Sequence, residues 1–105
     1  MSMKELMEFI GARYIFSAEH YPSLSGRSAE ETRAFAINHI HLHISKSLGR
    51  IATESERHDH GGSFDDTVIK EATVKILINT LKLAQELGMT ADELCETVPN
   101  LMKSQ

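Results

Sequence analysis

One long stretch of helical periodicity constrains the fold of this chain more than any other feature. It begins at Ser28-Ala-Glu-Glu31, because a Ser followed three residues later by a Glu is the capping-box signature of a helix start. The pattern continues to about residue 57, and a single glycine interrupts it. At 100° per residue, this predicted helix has an apolar stripe on one side and a basic stripe opposite to it. The apolar stripe contains Ile37, Ile40, Ile44, Leu48 and Ile51, and the basic stripe contains His39, His43, Lys46, Arg50 and Arg57.

Three further helices are predicted around this one. The first covers about Lys4 to Glu19, and Pro, Ser and Gly residues at positions 22–26 mark the break that follows it. A third helix begins near residue 66 and runs to about residue 87, where a glycine provides its stop. The sequence Thr90-Ala-Asp-Glu93 is a second capping box, which starts a short fourth helix that Pro99 kinks or restarts.

The third helix is apolar over more than half of its circumference, from Ile69 to Leu87. A surface helix of a monomer needs an apolar stripe of only about 100°. The sequence therefore predicts an all-α helical bundle with two long central helices that assembles into a homodimer or homotetramer. Its 105 residues predict a single helical domain over 1–105.

Charge and composition exclude several classes of protein. Fifteen acidic residues against 11 Lys and Arg give a formal net charge of −4, which argues against a duplex-DNA binder. No segment approaches the roughly 20 apolar residues of a membrane helix or the apolar stretch of a signal peptide. Cys95 is the one cysteine, so it has no intrachain disulfide partner, and we expect a cytoplasmic chain without a membrane anchor. Because Cys95 falls on an apolar stripe, it is interpreted as a packing residue rather than a nucleophile.

Histidines give two candidate metal sites. His39 and His43, four residues apart on a helix, could share a Zn²⁺ ion, although no third ligand is adjacent in sequence. The alternative is a solvated polar stripe. Asp59, beside two glycines in a predicted loop over 58–66, could bind a divalent cation or simply form a turn.

The basic stripe is a candidate phosphate site. His43, Lys46 and Arg50 are side chains that bind phosphate oxygens, and a nucleotide fits such a small cluster better than duplex nucleic acid does. The alternative is a solvated helix face whose charge is balanced by acidic neighbours such as Glu54 and Glu71.

Two segments of the chain resemble a known enzyme family. The run His43-Ile-Ser-Lys-Ser-Leu-Gly-Arg-Ile-Ala52 resembles the second-helix pattern His-Leu-x-Lys-Glu-x-Gly-Glu-Leu-Ala of MazG-like nucleotide pyrophosphohydrolases. The segment from Ile76 to Leu94, with its Leu-Ala-x-x-Leu-Gly turn, is similar to the next helix and turn of that family. The resemblance covers about 39–94 and implies a MazG-like core over about 28–98.

The resemblance implies an all-α dimer or tetramer that cleaves a nucleoside triphosphate to the monophosphate and pyrophosphate. In that family a Glu-x-x-Glu and a later Glu-x-x-Asp hold Mg²⁺, an ion that prefers oxygen ligands. This chain departs from the pattern at those positions. Ser47 and Arg50 stand at the first acidic pair, and Ala72 and Lys75 stand at the second.

Two hypotheses follow from this departure. The first is a non-catalytic relative whose basic stripe binds a nucleotide or a protein partner. The alternative is an active, divergent pyrophosphohydrolase of the house-cleaning type. It would use Glu54 and Glu71 to hold Mg²⁺, and Lys46 and Arg50 to bind the phosphates.

Overall fold

The computed structural model describes residues 1–103, and the regular structure in that range is entirely helical. Four α-helices follow one another: α1 (Met3–Arg13), α2 (Ala29–Asp59), α3 (Asp66–Glu86) and α4 (Ala91–Lys103). A short 3-10 helix lies at Pro22–Leu24, between α1 and α2. The prediction of an all-α bundle with two long helices is confirmed. None of these helices combines the length and the apolar character that a bilayer crossing requires.

The predicted helix starts are held by side-chain caps. Ser28 Oγ accepts a hydrogen bond from the Glu31 amide at 3.1 Å, and Glu31 Oε1 accepts one from the Ser28 amide at 3.2 Å. Asp65 caps α3, and Thr90 Oγ accepts a hydrogen bond from the Glu93 amide at the start of α4. These bonds satisfy amides that have no partner within their own helix, which is why Ser, Thr and Asp mark helix starts.

The first helix is shorter than predicted. It ends at Arg13, so the predicted extent to Glu19 is wrong. The aromatic residues after Arg13 carry a helical spacing but pack elsewhere. Phe16 leaves the helix to stack on Tyr21 (centroids 5.3 Å apart, interplanar angle 17°) and to contact Phe35 of α2 edge-on at 6.1 Å. This packing against α2 stabilises a bend where the local pattern favours helix.

The buried face of α2 is displaced from the predicted apolar stripe. Ala36 and Ile40 are buried, and so are two polar residues farther along, Ser47 and Glu54. Leu48, assigned to the apolar stripe, is 52% exposed. The core-facing side of α2 therefore lies between the apolar and basic stripes. As a result, one edge of the basic stripe borders the α2–α3 contact instead of facing away from it.

A second part of the core joins α1 to α3. Met7 and Ile10 of α1 pack against Leu81 and Ala84 of α3. The Gln85 side chain adds a polar link, because its Nε2 donates to the Met7 carbonyl at 2.6 Å. This contact positions the end of α1 beside the long α2–α3 pair.

The last helix lies at one end of the bundle. Leu94 of α4 packs against the α1–α3 core, but no residue of α4 is fully buried. Pro99 lies inside the helix, which continues through it to Lys103, so the chain does not restart at this proline. Cys95 is exposed, which corrects its assignment as a packing residue.

Candidate functional site

A cleft of about 320 Å³ lies between α2 and α3, beside the segment that follows α1. The three residues predicted to bind phosphate, His43, Lys46 and Arg50, all line it. The remaining lining residues come from four different parts of the chain: Tyr14, Tyr21, His39 and Ser47, Lys75 and Asn79. The structure thus brings the basic stripe of α2 together with a lysine of α3 and two tyrosines.

The cleft carries an excess of positive charge. Lys46, Arg50 and Lys75 are cationic at neutral pH, and Lys75 Nζ lies 2.9 Å from Glu71 Oε1 at the cleft edge. The hydrogen bond and the charge of Lys75 lower the pKa of Glu71, and the charge of Arg50 adds to this effect. Glu71 is therefore ionised and offsets one of the three cations. The arrangement favours an anion with more than one negative charge.

Two histidines form a contact pair on the α2 wall. His39 Nε2 lies 3.0 Å from His43 Nε2, and the Tyr21 hydroxyl lies 3.4 Å from the same His39 nitrogen. The His39 ring stacks on Phe35 with centroids 5.6 Å apart. Burial, followed by the charge of His43, lowers the pKa of His39. A contact between two ring nitrogens needs one N–H and one lone pair, so the pair is a donor and acceptor with at least one neutral ring.

The predicted Zn²⁺ site therefore has two ligand nitrogens close together. Within residues 1–103, no three His, Cys, Asp or Glu side chains are grouped so that they could hold one metal ion. The Zn²⁺ assignment of His39 and His43 stays a prediction.

Two consecutive hydrogen bonds hold the Tyr14 side chain at the cleft. The Tyr14 hydroxyl donates to Asn79 Oδ1 at 2.8 Å, and Asn79 Nδ2 donates to the Lys75 carbonyl at 2.8 Å. Burial is the main cause that raises the pKa of Tyr14 to about 12, so its hydroxyl keeps its proton and remains a donor. Lys75, the α3 cation, thus lies one turn from a buried asparagine whose side chain both accepts and donates a hydrogen bond.

The two carboxylates predicted to hold Mg²⁺ have different partners. Glu54 is buried, and its Oε1 accepts hydrogen bonds from the Asp65 amide at 2.7 Å and from Arg57 Nη1 at 3.1 Å. Glu71 is exposed and pairs with Lys75. The two therefore do not form a shared donor set here, and the Mg²⁺ assignment stays a prediction. Arg57, which the sequence places on the basic stripe, is engaged by Glu54.

The loop between α2 and α3 is shorter than predicted. Asp59 is the last residue of α2, so the connecting segment begins at His60. Gly61 adopts φ +88°, a conformation that favours glycine, and the His58 ring stacks on Phe64 with centroids 4.5 Å apart. The segment after Asp59 is thus a turn, whereas Asp59 itself belongs to α2, and its binding of a divalent cation stays a prediction.

Sequence reasoning missed the residues that α3 and the segment after α1 bring to the cleft. Lys75 carried a signal, since it stands at an acidic position of the MazG-like pattern. Tyr14 carried none, because the predicted first helix continued through it, and Tyr21 carried none, because it follows that predicted helix in a segment without a motif. Comparisons with models of protein families, with curated proteins and with solved structures find no match to this chain. The MazG-like resemblance stays a prediction.

Proposed function

We propose that this chain binds a small phosphorylated ligand, with a nucleotide as the favoured candidate, in the cleft between α2 and α3. One observation carries the proposal. Lys46 and Arg50 of α2 and Lys75 of α3 line a single cleft, and Glu71 offsets one of their three charges. If the basic stripe were only a solvated face of α2, there would be no reason for a cation of a second helix to lie in the same cleft.

The chemistry of the cleft matches phosphate oxygens. Arg50 supplies a planar fork of N–H donors, whereas Lys46 and Lys75 supply point charges, and phosphate binds well to this combination. The His39–His43 pair adds ring nitrogens to the same wall of the cleft. Since these cations border a concave site, their fields converge on a ligand held there, and their attraction for an anion is stronger than on an open, flat surface.

The size and the walls of the cleft favour a ligand with a ring as well as a phosphate. A volume of about 320 Å³ is at the lower end of small-molecule sites, which span roughly 300–1,000 Å³. Tyr14 and Tyr21 provide aromatic surface against which a base or another planar group can pack. A nucleotide combines these features, whereas inorganic phosphate would leave the tyrosines uncontacted.

The resemblance to MazG-like pyrophosphohydrolases supports the same proposal. Arg50 and Lys75 stand at positions where that family has acidic metal ligands. We infer that these cations neutralise phosphate charge directly, so that binding does not depend on Mg²⁺. The chain is thus proposed to be a non-catalytic, cytoplasmic relative that acts as a homodimer or homotetramer.

Calorimetric titration tests the binding proposal. Nucleoside mono-, di- and triphosphates, pyrophosphate, inorganic phosphate and an unphosphorylated nucleoside are titrated with and without Mg²⁺. Lys75→Gln and Arg50→Gln should each weaken nucleotide binding about 10- to 100-fold, since a hydrogen bond to a charged group contributes about 1.5–3 kcal/mol. Arg33→Gln is the matched control, because Arg33 is an exposed cation of the same helix that lines a different cavity.

Two results would refute the binding proposal. One is the absence of binding by any phosphorylated ligand at millimolar concentration, and the other is an equal loss in Arg33→Gln. Detection of pyrophosphate in the same samples tests the alternative, active hydrolysis with Glu54 and Glu71. Mg²⁺-dependent turnover that Glu71→Gln abolishes would establish the enzyme, whereas no turnover and no Mg²⁺ binding would eliminate it.

A further inference from the structure

The chain exposes more surface than a compact monomer of its size. Its accessible surface is 7447 Å² for 11.7 kDa, whereas a monomer of this mass exposes about 5,900 Å². Its radius of gyration is 16.6 Å, against about 13 Å for a compact domain of this length. The excess of roughly 1,500 Å² is larger than the area of about 800 Å² that one chain contributes to an interface of standard size.

Part of this excess is an apolar groove between α1 and α3. The groove has a volume of about 430 Å³, and its walls are Leu6, Phe9 and Ile10 of α1 and Val74, Leu77 and Ile78 of α3. Phe9, Val74 and Leu77 are each about half exposed. A contiguous apolar concavity of this kind marks an interaction surface rather than ordinary scattered exposure.

The lengths of the two helices explain why the groove is open. α1 has 11 residues and α3 has 21, so at 1.5 Å per residue α1 covers only about half of α3. The buried contacts with α1 lie at Leu81 and Ala84, near the end of α3. Val74 and Leu77, one to two turns earlier, lie beyond this cover. The broad apolar face of α3 is therefore only partly used within one chain.

We propose that a second copy of this chain docks on the α1–α3 groove about a two-fold axis. The groove offers both a recess and a projecting ring, Phe9, which the Arg13 guanidinium covers on one face at 3.6 Å from its centroid. A two-fold axis pairs such a surface with itself, so that the Phe9 ring of each copy faces the recess of the other. The resulting α1–α3 pairs form a four-helix arrangement that buries the apolar walls of both grooves.

The exposed leucines of α2 do not offer an equivalent surface. Leu42 and Leu48 are 56% and 52% exposed, but six residues at 100° each place them about 120° apart around the helix. They therefore do not share a patch, and the neighbours of Leu48 in the apolar stripe, Ile44 and Ile51, are half-buried rather than exposed. Leu48 is instead a matched control for Leu77, since both are half-exposed leucines in the interior of a long helix.

Sedimentation velocity over a concentration series tests the assignment. The wild-type chain should sediment as a dimer or larger assembly at micromolar concentration. Leu77→Glu should weaken self-association about 100-fold or more, because it would place an unpaired charge inside the interface. Val74→Glu provides a second disruption at an independent position, and Leu48→Glu should leave the assembly unchanged. Circular dichroism confirms that each variant remains helical, as expected for exposed positions.

Three results would overturn the proposal. A wild-type monomer at 100 µM would remove its basis. Retained assembly in both Leu77→Glu and Val74→Glu would show that the interface lies elsewhere. Dissociation by Leu48→Glu would assign the interface to α2 instead.

Discussion

Replacement of Glu54 by alanine tests whether this buried carboxylate is structural. Its Oε1 accepts a 2.7 Å hydrogen bond from the amide of Asp65, the residue that caps α3. Glu54→Ala leaves that amide without its partner, which costs about 1–3 kcal/mol. It also removes one buried methylene group, at about 0.8 kcal/mol. The partner Arg57 side chain is 52% exposed, so it turns to water, and the loss of its ion pair adds little.

The expected loss is therefore about 3 kcal/mol in the free energy of unfolding. With a urea m-value of about 1.5 kcal/mol/M, the unfolding midpoint falls by about 2 M. Glu54→Gln should lose only about 1 kcal/mol, because its amide oxygen still accepts the Asp65 hydrogen bond. Glu56→Ala is the control, since Glu56 is an exposed glutamate of the same helix, and it should change stability by less than about 0.5 kcal/mol.

Urea denaturation followed by circular dichroism distinguishes the outcomes. A loss below about 0.5 kcal/mol in Glu54→Ala, which is the size of an ordinary surface substitution, would refute the assigned hydrogen-bond role. Equal losses in the Ala and Gln variants would also refute it. The metal hypothesis makes a different prediction. If Glu54 held Mg²⁺, the ion would raise the wild-type midpoint, and Glu54→Gln would abolish that increase.

Three other perturbations test the fold and the cleft. Gly49→Ala should stabilise the chain by about 1 kcal/mol in urea denaturation, since a Cβ at this helical position meets nothing within 4 Å. Gly88→Ala should destabilise it by about 1–2 kcal/mol, because Gly88 has φ +76°, which an alanine adopts only with strain. In an alkaline titration followed at 295 nm, one tyrosine should ionise near pH 12, and Tyr14→Phe should remove that step. Because the pKa of His39 is lowered below 6.5 on folding, the folded chain binds fewer protons. The free energy of unfolding therefore decreases as the pH falls from about 7.5 to 5.5, and His39→Gln should reduce this decrease.

The fold was predictable wherever local signals agree with packing. Ser28, Thr90 and Gly88 set helix ends through contacts within a few residues, and these ends appear where the sequence predicts them. The end of α1 was not predictable in this way. Phe16 continues a helical pattern, but its partners Tyr21 and Phe35 lie farther along the chain, and their packing overrides local propensity.

The basic wall of the cleft was predictable because one helix carries it. His43, Lys46 and Arg50 follow a helical period, so their proximity can be read from spacing alone. Lys75 and Tyr14 reach the same cleft from other segments, and only the tertiary arrangement brings them there. The roles of Glu54 and Glu71 were not predictable from spacing. In the structure, Glu54 accepts a hydrogen bond from the Asp65 amide, and Glu71 forms an ion pair with Lys75.

The position of the buried face on α2 connects the core to the cleft. Had the isoleucine stripe faced α3 directly, the basic stripe would point away from the bundle and no second helix could contribute to it. Instead the buried residues include Ser47 and Glu54, which rotates α2 so that Lys46 and Arg50 border α3. This rotation places Lys75 in the same cleft. The buried face of α2, polar residues included, is therefore the reason that the basic stripe forms one wall of a concave cleft.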